Sequence, residues 1–308
     1  MQVIFFSEKQ ISIDQKTSTS NHNSTLNVKT FRLPVQVEDE NIILKSLVKE
    51  LKDTGIALVD CNDRLNPQKP LWTPETTSEK FQSFVGILAT ELDGHNDLEK
   101  KQFVWDVTPR PSQEAIEKAH FARPHSHNDE EFVMHTDAAF KQDPPRYFSL
   151  YCVKADKMGG GQSKFVHGER IVRKLQQMRG GEEILQKLKS PIWDVKVPLE
   201  FMKNETDTQV LNKALLKDVK VSGQEFYHHL WSFRREIIIP RSQDQEQILH
   251  TLEKLLESAE NQFIGTLPDG FMLIMDNARW FHGREKILDK RRLLKRIRFN
   301  DLKENYVL

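Results

Sequence analysis

Cysteine is almost absent from this sequence, which contains only Cys61 and Cys152 in 308 residues. Two thiols cannot form a cysteine zinc cluster by themselves, and they do not indicate the disulfide framework of small secreted domains. An excess of charge of one sign is also lacking, because 45 basic residues balance 45 acidic ones. A nucleic-acid-binding protein is expected to carry a positive excess. The composition therefore indicates a globular protein whose partners do not include nucleic acid.

Long hydrophobic runs are lacking as well. The longest apolar patch of note is "FMLIM" at 271–275, far short of the roughly 20 apolar residues of a membrane span. The opening "MQVIFF" is shorter than the apolar region of a secretory signal, and polar residues follow it at once. We therefore expect no membrane partner and a cytoplasmic localisation.

The pattern of apolar residues predicts short strands and a few amphipathic helices. "DENIILKSLVKELKDTG" has helical spacing and ends at Gly55, and "DQEQILHTLEKLLESAE" predicts another helix. Residues 168–189 are also predicted to be helical, with a Gly-Gly break. "EFVMHTDAAF", "RYFSLYCVKA" and "FRREIIIP" are typical of strands. Short strands with helices at the front and in insertions favour an antiparallel β core with flanking helices.

His135 and Asp137 lie one residue apart within "FVMHTDAAF". If this segment is a strand, both side chains point to the same face, because side chains alternate with a period of two. A metal site, a hydrogen-bonded pair in the core and a solvated face all fit this pattern. The tripeptide alone does not decide among them.

The C-terminal stretch "GFMLIMDNARWFHGREKILDKRRLLKRIRF" adds a second histidine and several arginines. Two histidines and one carboxylate can occupy one face of an octahedral iron and leave three coordination positions open. Arg292 and Arg296 would share a strand face with spacing i, i+4. An arginine at the far end of such a site can bind a carboxylate of 2-oxoglutarate through two parallel hydrogen bonds, which lysine cannot do.

Four motifs between residues 132 and 299 together resemble a known family. "HTD", "GGGQS", "DNARWFHGR" and "RRLLKR" occur in this order, and the sequence resembles the TauD/TfdA and clavaminate-synthase-like 2-oxoglutarate-dependent oxygenases. The resemblance implies one domain over residues 1–308, with a double-stranded β-helix (jelly-roll) core at 132–299. An N-terminal strand and flexible loop at 1–27 and helices and strands at 28–131 would precede it, and residues 200–225 form a candidate lid.

The resemblance also implies an activity and its residues. Fe(II), 2-oxoglutarate and O2 would be used to hydroxylate an unactivated C–H bond, with succinate and CO2 as products. The iron ligands, which are also the catalytic residues, would be His135, Asp137 and His282. The 2-oxoglutarate contacts would be Arg292, Arg296 and Ser163, where Ser163 takes a place commonly held by threonine. Related halogenases replace the carboxylate with glycine or alanine, so Asp137 favours oxygenation.

The substrate is the least determined part of the prediction. A small molecule is expected, with a free or modified amino acid favoured and a basic one such as lysine or arginine as the specific choice. Glu130 and Glu131 are candidates for binding an amine, although most charge runs of this kind are simply solvated. Arg234 is a candidate for binding a carboxylate if it points inward, and is an ordinary surface residue if it does not.

Three alternatives stay open at the level of the sequence. The substrate class can be another small acid or a natural-product intermediate, modified by hydroxylation or desaturation. A non-catalytic β-barrel binding protein would keep the shell without the iron. A zinc hydrolase would use the same three ligands but would not need the arginines. A homo-oligomer is also compatible with the sequence.

Overall fold

The structure is a computed structural model, and it describes residues 2–7, 10–15, 28–33, 40–65, 74–91, 104–109, 128–198, 209–221, 227–299 and 306–307. The helices are α1 (Glu40–Thr54), α2 (Asn62–Leu65), α3 (Pro74–Glu91), α4 (Gly168–Gln176), α5 (Gly181–Lys189) and α6 (Gln243–Glu257). The strands are β1 (Gln2–Ser7), β2 (Gln10–Gln15), β3 (Thr30–Arg32), β4 (Ile56–Asp60), β5 (Trp105–Val107), β6 (Phe132–His135), β7 (Tyr147–Lys154), β8 (Ser163–His167), β9 (Trp193–Lys196), β10 (Val210–Lys213), β11 (Leu216–Val221), β12 (Tyr227–Trp231), β13 (Ile238–Ile239), β14 (Phe263–Gly265), β15 (Phe271–Asp276), β16 (Trp280–Arg284), β17 (Leu293–Phe299) and β18 (Tyr306–Val307).

Two six-stranded sheets form the centre of the molecule. Sheet I has the strand order β2-β1-β14-β8-β16-β6, and sheet II has the order β3-β4-β15-β7-β17-β5. All pairings are antiparallel except β1 with β14 and β3 with β4. The sheets pack face to face through apolar side chains such as Phe148 and Met275 from sheet II and Phe165 and Trp280 from sheet I. The predicted mainly β core is thereby confirmed.

The outer faces of both sheets are covered by helices. On sheet II, Tyr147, Tyr151 and Phe299 pack with leucines of α1 and phenylalanines of α3. On sheet I, Val166 and Phe281 pack with α4, α5 and α6. Successive strand residues face opposite sides, so Phe281 faces the helices and His282 faces the space between the sheets. This alternation is what directs polar groups of β16 and β17 into the interior.

Two predicted strands are shorter than the sequence pattern indicated. The strand predicted over "EFVMHTDAAF" ends at His135, and residues 137–140 form a turn in which Ala138 has a φ of 56°. The strand predicted over "FRREIIIP" is a 3-10 turn at Arg235–Ile237 followed by the two-residue β13. Alternation of apolar residues cannot distinguish an extended segment from a tight turn that buries the same side chains.

Two small sheets lie beside the main pair. Their strand orders are β10-β9-β13 and β12-β11-β18. The candidate lid at 200–225 includes β10 and β11, while its residues 200–208 and 222–225 lie outside the described residues, as do residues 16–27 of the predicted N-terminal strand and loop at 1–27. Among the described residues, no helix has both the length and the apolar character required to cross a membrane.

Candidate metal centre

Three side chains that were predicted to bind a metal converge between the two sheets. His135 is the last residue of β6, Asp137 lies in the turn that follows, and His282 is the middle residue of β16. The backbone pairing places His282 directly opposite His135. One ligand atom from each residue can be chosen so that all three lie within 4.8 Å of one another. All three side chains are at least largely buried, with side-chain exposures of 3%, 6% and 13%.

An irregularity in the pairing of β6 with β16 shapes this site. Phe132 pairs with Arg284 and His135 with His282, so one strand has an extra residue between the two pairs. A β-bulge of this kind redirects side chains locally. As a result the ring of Phe132 stacks on the imidazole of His135, with 3.8 Å between ring centroids. Regular alternation would have placed Phe132 and His135 on opposite faces.

His135 is held as a neutral imidazole in a defined tautomer. Its Nδ1 lies 2.8 Å from the carbonyl oxygen of Val133, which can only accept, so Nδ1 carries the proton and Nε2 keeps its lone pair. Burial lowers the pKa of His135 to about 4, the nearby His282 acts in the same direction, and Asp137 opposes both. A neutral imidazole with one nitrogen hydrogen-bonded to a carbonyl is the form in which histidine binds metals.

The carboxylate of Asp137 divides its contacts between its two oxygens. Oδ2 accepts from Arg298 Nε at 2.7 Å and from Arg296 Nη1 at 3.2 Å. Oδ1 lies 3.7 Å from His135 Nε2 and 3.8 Å from His282 Nε2, with Arg296 Nη1 at 3.5 Å. Although burial acts to raise the pKa of Asp137, the charges of the two arginines hold it well below its usual value. The carboxylate is therefore ionised and presents one oxygen to the two imidazoles.

The chemistry of this donor set fits a transition metal ion. Atoms bound to one metal at about 2 Å can lie no more than about 4 Å apart, and the separations of Asp137 Oδ1 from the two Nε2 atoms, 3.7 and 3.8 Å, satisfy this limit. Nε2 of each histidine is the nitrogen that faces this oxygen. Two imidazole nitrogens and one carboxylate oxygen form the set typical of non-haem Fe(II) oxygenases.

Arginines of β17 form the second part of the site. Arg296 and Arg298 lie on the face of β17 that points between the sheets, opposite Leu150 and Phe148 of β7. Phe148 in turn contacts the ring of His282, with 4.6 Å between centroids. Arg298 was not among the predicted site residues. Its spacing of two residues from Arg296 could have indicated it, because residues i and i+2 of a strand share a face. Burial lowers the pKa of Arg296 to about 10, which still leaves it protonated at neutral pH.

Arg292 lies just before β17 and occupies a different position from Arg296. It is 5% exposed, and among the described residues its Nη1 has no hydrogen-bond partner. Its guanidinium packs against Gly161, where a Cβ atom would lie 3.1 Å from Arg292 Nε. The "GGG" segment therefore leaves room for this arginine. The pairing of β17 with β7 is irregular between Leu293 and Leu294, so simple alternation does not relate Arg292 to Arg296.

Ser163 is the first residue of β8 and pairs with Arg284 of β16. Phe165 pairs with His282, so Ser163 and Phe165 lie on the face of sheet I that carries His282. Arg291, next to Arg292 in the sequence, has a side chain that is 69% exposed and paired with Asp289.

The three candidate substrate residues have different surroundings. Glu130 forms an ion pair with Lys286 and Glu131 with Lys164, and the two carboxylates have exposed fractions of 61% and 54%. Arg234 is buried, donates to Glu236 at 2.8 Å and lies over the ring of Phe132, 5.6 Å from its centroid. Since Phe132 stacks on His135, Arg234 is one aromatic ring away from a candidate metal ligand.

Three solved structures resemble this chain. An asparagine oxygenase in complex with Fe(II), 2S,3S-3-hydroxyasparagine and succinate is 17% identical, with a TM-score of 0.60, over 83% of this chain and 77% of that one. The non-heme iron oxygenase OrfP in complex with Fe, succinate and (3S)-hydroxy-L-Arg is 16% identical, with a TM-score of 0.57, over 84% and 79%. OrfP in complex with Fe and alpha-ketoglutaric acid is 18% identical, with a TM-score of 0.58, over 87% and 81%.

These likenesses confirm the predicted jelly-roll fold. A search among curated proteins finds no match. The family model described as "Taurine catabolism dioxygenase TauD, TfdA family" matches residues 65–298, which include His135, Asp137, His282 and the arginines of β17. The match extends over most of the chain, and it agrees with the resemblance carried by the sequence motifs. The chain belongs to the TauD/TfdA family of dioxygenases.

Proposed function

We propose that this dioxygenase uses Fe(II) and 2-oxoglutarate, and that His135, Asp137 and His282 bind the iron. The observation that carries the proposal is the convergence of their ligand atoms within 4.8 Å in a buried site. His135 is neutral with Nδ1 engaged, and Asp137 is ionised with Oδ1 facing both imidazoles. Solved structures of similar fold were obtained with Fe, with alpha-ketoglutaric acid and with succinate.

Three ligands on one face of an octahedral iron leave positions for 2-oxoglutarate and O2. Iron bound there supplies the oxidising chemistry that hydroxylates an unactivated C–H bond while 2-oxoglutarate is converted to succinate and CO2. The protein holds the donor atoms in place and keeps water out. Phe132 and Phe148 contact the rings of His135 and His282, so apolar surface lies against both imidazoles.

The arginines are proposed to bind the two carboxylates of 2-oxoglutarate. Arg296 and Arg298 bring two positive charges to the single negative charge of Asp137, so the buried cluster has an excess of positive charge that favours an anion. Arg292 is buried with one unsatisfied nitrogen, which also favours a carboxylate partner. Ser163 offers a hydroxyl on the face of His282.

We assign Arg292 and Arg296 to different carboxylates, because four residues of an extended strand separate their backbones by roughly 13 Å. Arg296 contacts both oxygens of Asp137, which is a proposed iron ligand. The substitutions Arg292→Lys and Arg296→Lys separate the two roles, since lysine keeps the charge but loses the two-pronged contact. We expect at least one of them to raise KM for 2-oxoglutarate by about tenfold, equivalent to ~1.4 kcal/mol. An unchanged KM in both variants would contradict the assignment.

The proposed substrate is a small molecule, with a free or modified amino acid favoured and a basic one preferred. Similar folds were solved with 3-hydroxyasparagine and with hydroxy-L-Arg. Arg234, one ring away from His135, is proposed to bind the substrate carboxylate. Glu130 and Glu131 are proposed to bind an amine, and a substrate amine would then replace Lys286 or Lys164 as the partner of the carboxylate.

A second candidate is a small acid without a basic group, hydroxylated or desaturated at the same centre. The observation that favours it is the presence of Arg296 and Arg298 at Asp137 and of Arg234 nearby. A screen for succinate release with the twenty amino acids and with common small acids separates the two. Arginine or lysine as the best substrate supports the first candidate, and an acid without an amine supports the second.

Binding of the metal and 2-oxoglutarate is tested without turnover. Under anaerobic conditions, Fe(II) with 2-oxoglutarate is expected to give the weak visible charge-transfer band of the ternary complex. His135→Ala and His282→Ala are expected to abolish the band, while the matched control His250→Ala, an exposed histidine of α6, is expected to keep it. The proposal fails if the band is absent from the wild-type protein or persists in both ligand variants.

A further inference from the structure

The turn that carries Asp137 has a strained backbone. Ala138 has a φ of 56°, and among the described residues it is the one non-glycine residue with a positive φ. A residue with a Cβ atom rarely adopts this left-handed backbone conformation. The conformation persists where contacts with the surrounding structure hold it. Ala138 directly follows Asp137, so relaxation of this residue would move the carboxylate. The turn therefore needs contacts from outside itself.

Asn277 supplies the first of these contacts. Its Oδ1 accepts from the backbone N–H of Asp137 at 2.7 Å, and its Nδ2 donates to the carbonyl of Asp137 at 3.0 Å and to that of Pro145 at 2.9 Å. The side chain is buried, with 2% of the residue exposed. One carboxamide thus binds both backbone groups of Asp137. Asn277 precedes β16, so it also joins this turn to the segment that carries His282.

Lys213 supplies the second contact, from β10 of the small sheet. Its Nζ donates to the carbonyls of Lys141 at 2.6 Å and Ala139 at 3.2 Å, and to Ser232 Oγ at 2.8 Å. These three contacts use all three N–H groups of the ammonium. Lys213 is 3% exposed. The hydrogen bonds to the turn carbonyls therefore satisfy an ammonium group that has little contact with solvent. Burial lowers its pKa to about 8.

We propose that Asn277 and Lys213 are positioning residues that hold the turn at 137–141 and thereby place Oδ1 of Asp137 opposite His135 and His282. The proposal rests on the proposed function, because it takes Asp137 as a metal ligand. Asn277 binds Asp137 itself, whereas Lys213 binds the turn two and four residues further on. The effect of changing Asn277 is therefore the larger of the two.

Metal affinity measures the placement of Asp137 more directly than activity does. We expect Asn277→Asp, Asn277→Leu and Lys213→Met to weaken binding of Co(II), used as an air-stable probe, by about tenfold or more, the range found when supporting residues of metal ligands are removed. Asn261→Leu is the matched control. Asn261, which follows α6, is also a buried asparagine, 1% exposed, but its carboxamide donates to the carbonyl of Leu255 within that helix. The control is expected to bind Co(II) as the wild type does.

Hydrogen exchange on the metal-free protein gives a second readout. In Asn277→Leu the amide of Asp137 loses its acceptor and is expected to exchange faster. In Lys213→Met the amide of Lys141, which donates to Ala138, is expected to exchange faster. Amides in β15 and β16 should keep their protection, which separates loosening of the turn from general unfolding.

The outcomes separate this proposal from the proposed function. Unchanged Co(II) affinity in folded Asn277 and Lys213 variants, or unchanged exchange at both amides, overturns the positioning role. A wild-type protein that binds no Co(II) contradicts the proposed metal site, and the exchange experiment then still tests the hold on the turn. Weaker Co(II) binding together with faster exchange confined to residues 136–141 supports the proposal.

Discussion

Two buried aspartates of this protein face arginines and have different roles. Asp276, at the end of β15, is fully buried, and both of its oxygens accept hydrogen bonds. Oδ1 accepts from Arg146 Nε at 2.8 Å and from the amides of Ala278 and Arg279 at 3.0 and 3.2 Å, and Oδ2 accepts from Arg146 Nη2 at 2.7 Å. Asp137 directs Oδ2 to its arginines and leaves Oδ1 toward two imidazoles. A carboxylate whose two oxygens both accept hydrogen bonds from the protein is structural. A carboxylate that directs one oxygen toward two imidazole nitrogens is available to a metal.

The largest expected effect is on the structural carboxylate. Asp276→Asn removes the charge that balances Arg146, whose side chain is 9% exposed. Removing one partner of a buried pair leaves an uncompensated charge, so we expect a loss of about 3–5 kcal/mol in the free energy of unfolding. Urea denaturation of the metal-free protein measures it. A loss below ~1 kcal/mol would remove the distinction between the two aspartates.

Asp137→Asn is expected to have a smaller effect on the metal-free protein. The side chains of its two arginine partners, Arg296 and Arg298, are 14% and 25% exposed, against 9% for Arg146, so solvent reaches them more readily when the aspartate charge is lost. The result that identifies Asp137 as a metal ligand is the gain in the free energy of unfolding when metal is added. The wild type should gain about 2.7 kcal/mol at a metal concentration of 100 Kd, and the variant should gain none. Thermal unfolding with and without Co(II) checks this, and an equal gain in both proteins would exclude Asp137 as a ligand.

Acid is expected to destabilise the protein through His167, which lies near the structural carboxylate of Asp276. Burial lowers the pKa of His167 to about 3, Arg279 contributes in the same direction, and Asp276 opposes them. The unfolded state, with a histidine pKa near 6.5, binds more protons between the two values, so stability falls as pH drops through this range. His167→Gln should lose on the order of 2–3 kcal/mol less than the wild type between pH 7 and pH 4.5. Urea midpoints at the two pH values provide the test, and equal losses would contradict it.

The smallest effect is expected from an ion pair with one exposed partner. The side chain of Arg291 is 69% exposed, while that of its partner Asp289 is 3% exposed, and an ion pair whose cation is open to solvent contributes little to stability. Arg291→Ala should lower the free energy of unfolding by no more than about a quarter of the loss expected for Asp276→Asn and leave Co(II) binding and KM for 2-oxoglutarate unchanged. A larger loss in urea denaturation, or a change in either binding property, would mean that exposure does not separate this arginine from Arg292 and Arg296.

The sequence predicted much of the fold because its patterns are local. Helix α1 ends where Gly55, with a φ of 74°, was predicted to end it, and the Gly-Gly break separates α4 from α5. The end of β6 was predicted incorrectly, since the turn at 137–140 depends on contacts with distant residues such as Asn277 and Lys213. No local pattern contains those partners, which lie 140 and about 72–74 residues away.

The chemistry of the site was contained in the order of the residues, and its geometry was not. "HTD", "WFHGR" and the downstream arginines supplied two imidazoles, one carboxylate and several cations, because side-chain chemistry belongs to each residue by itself. The tertiary structure decided which donor atoms meet. Pairing of β16 with β6 brought His282 to His135, and the bulge there brought Phe132 onto the imidazole. Strand alternation on β17 brought Arg298 to Asp137, since contacts between distant segments arise only when the sheets assemble.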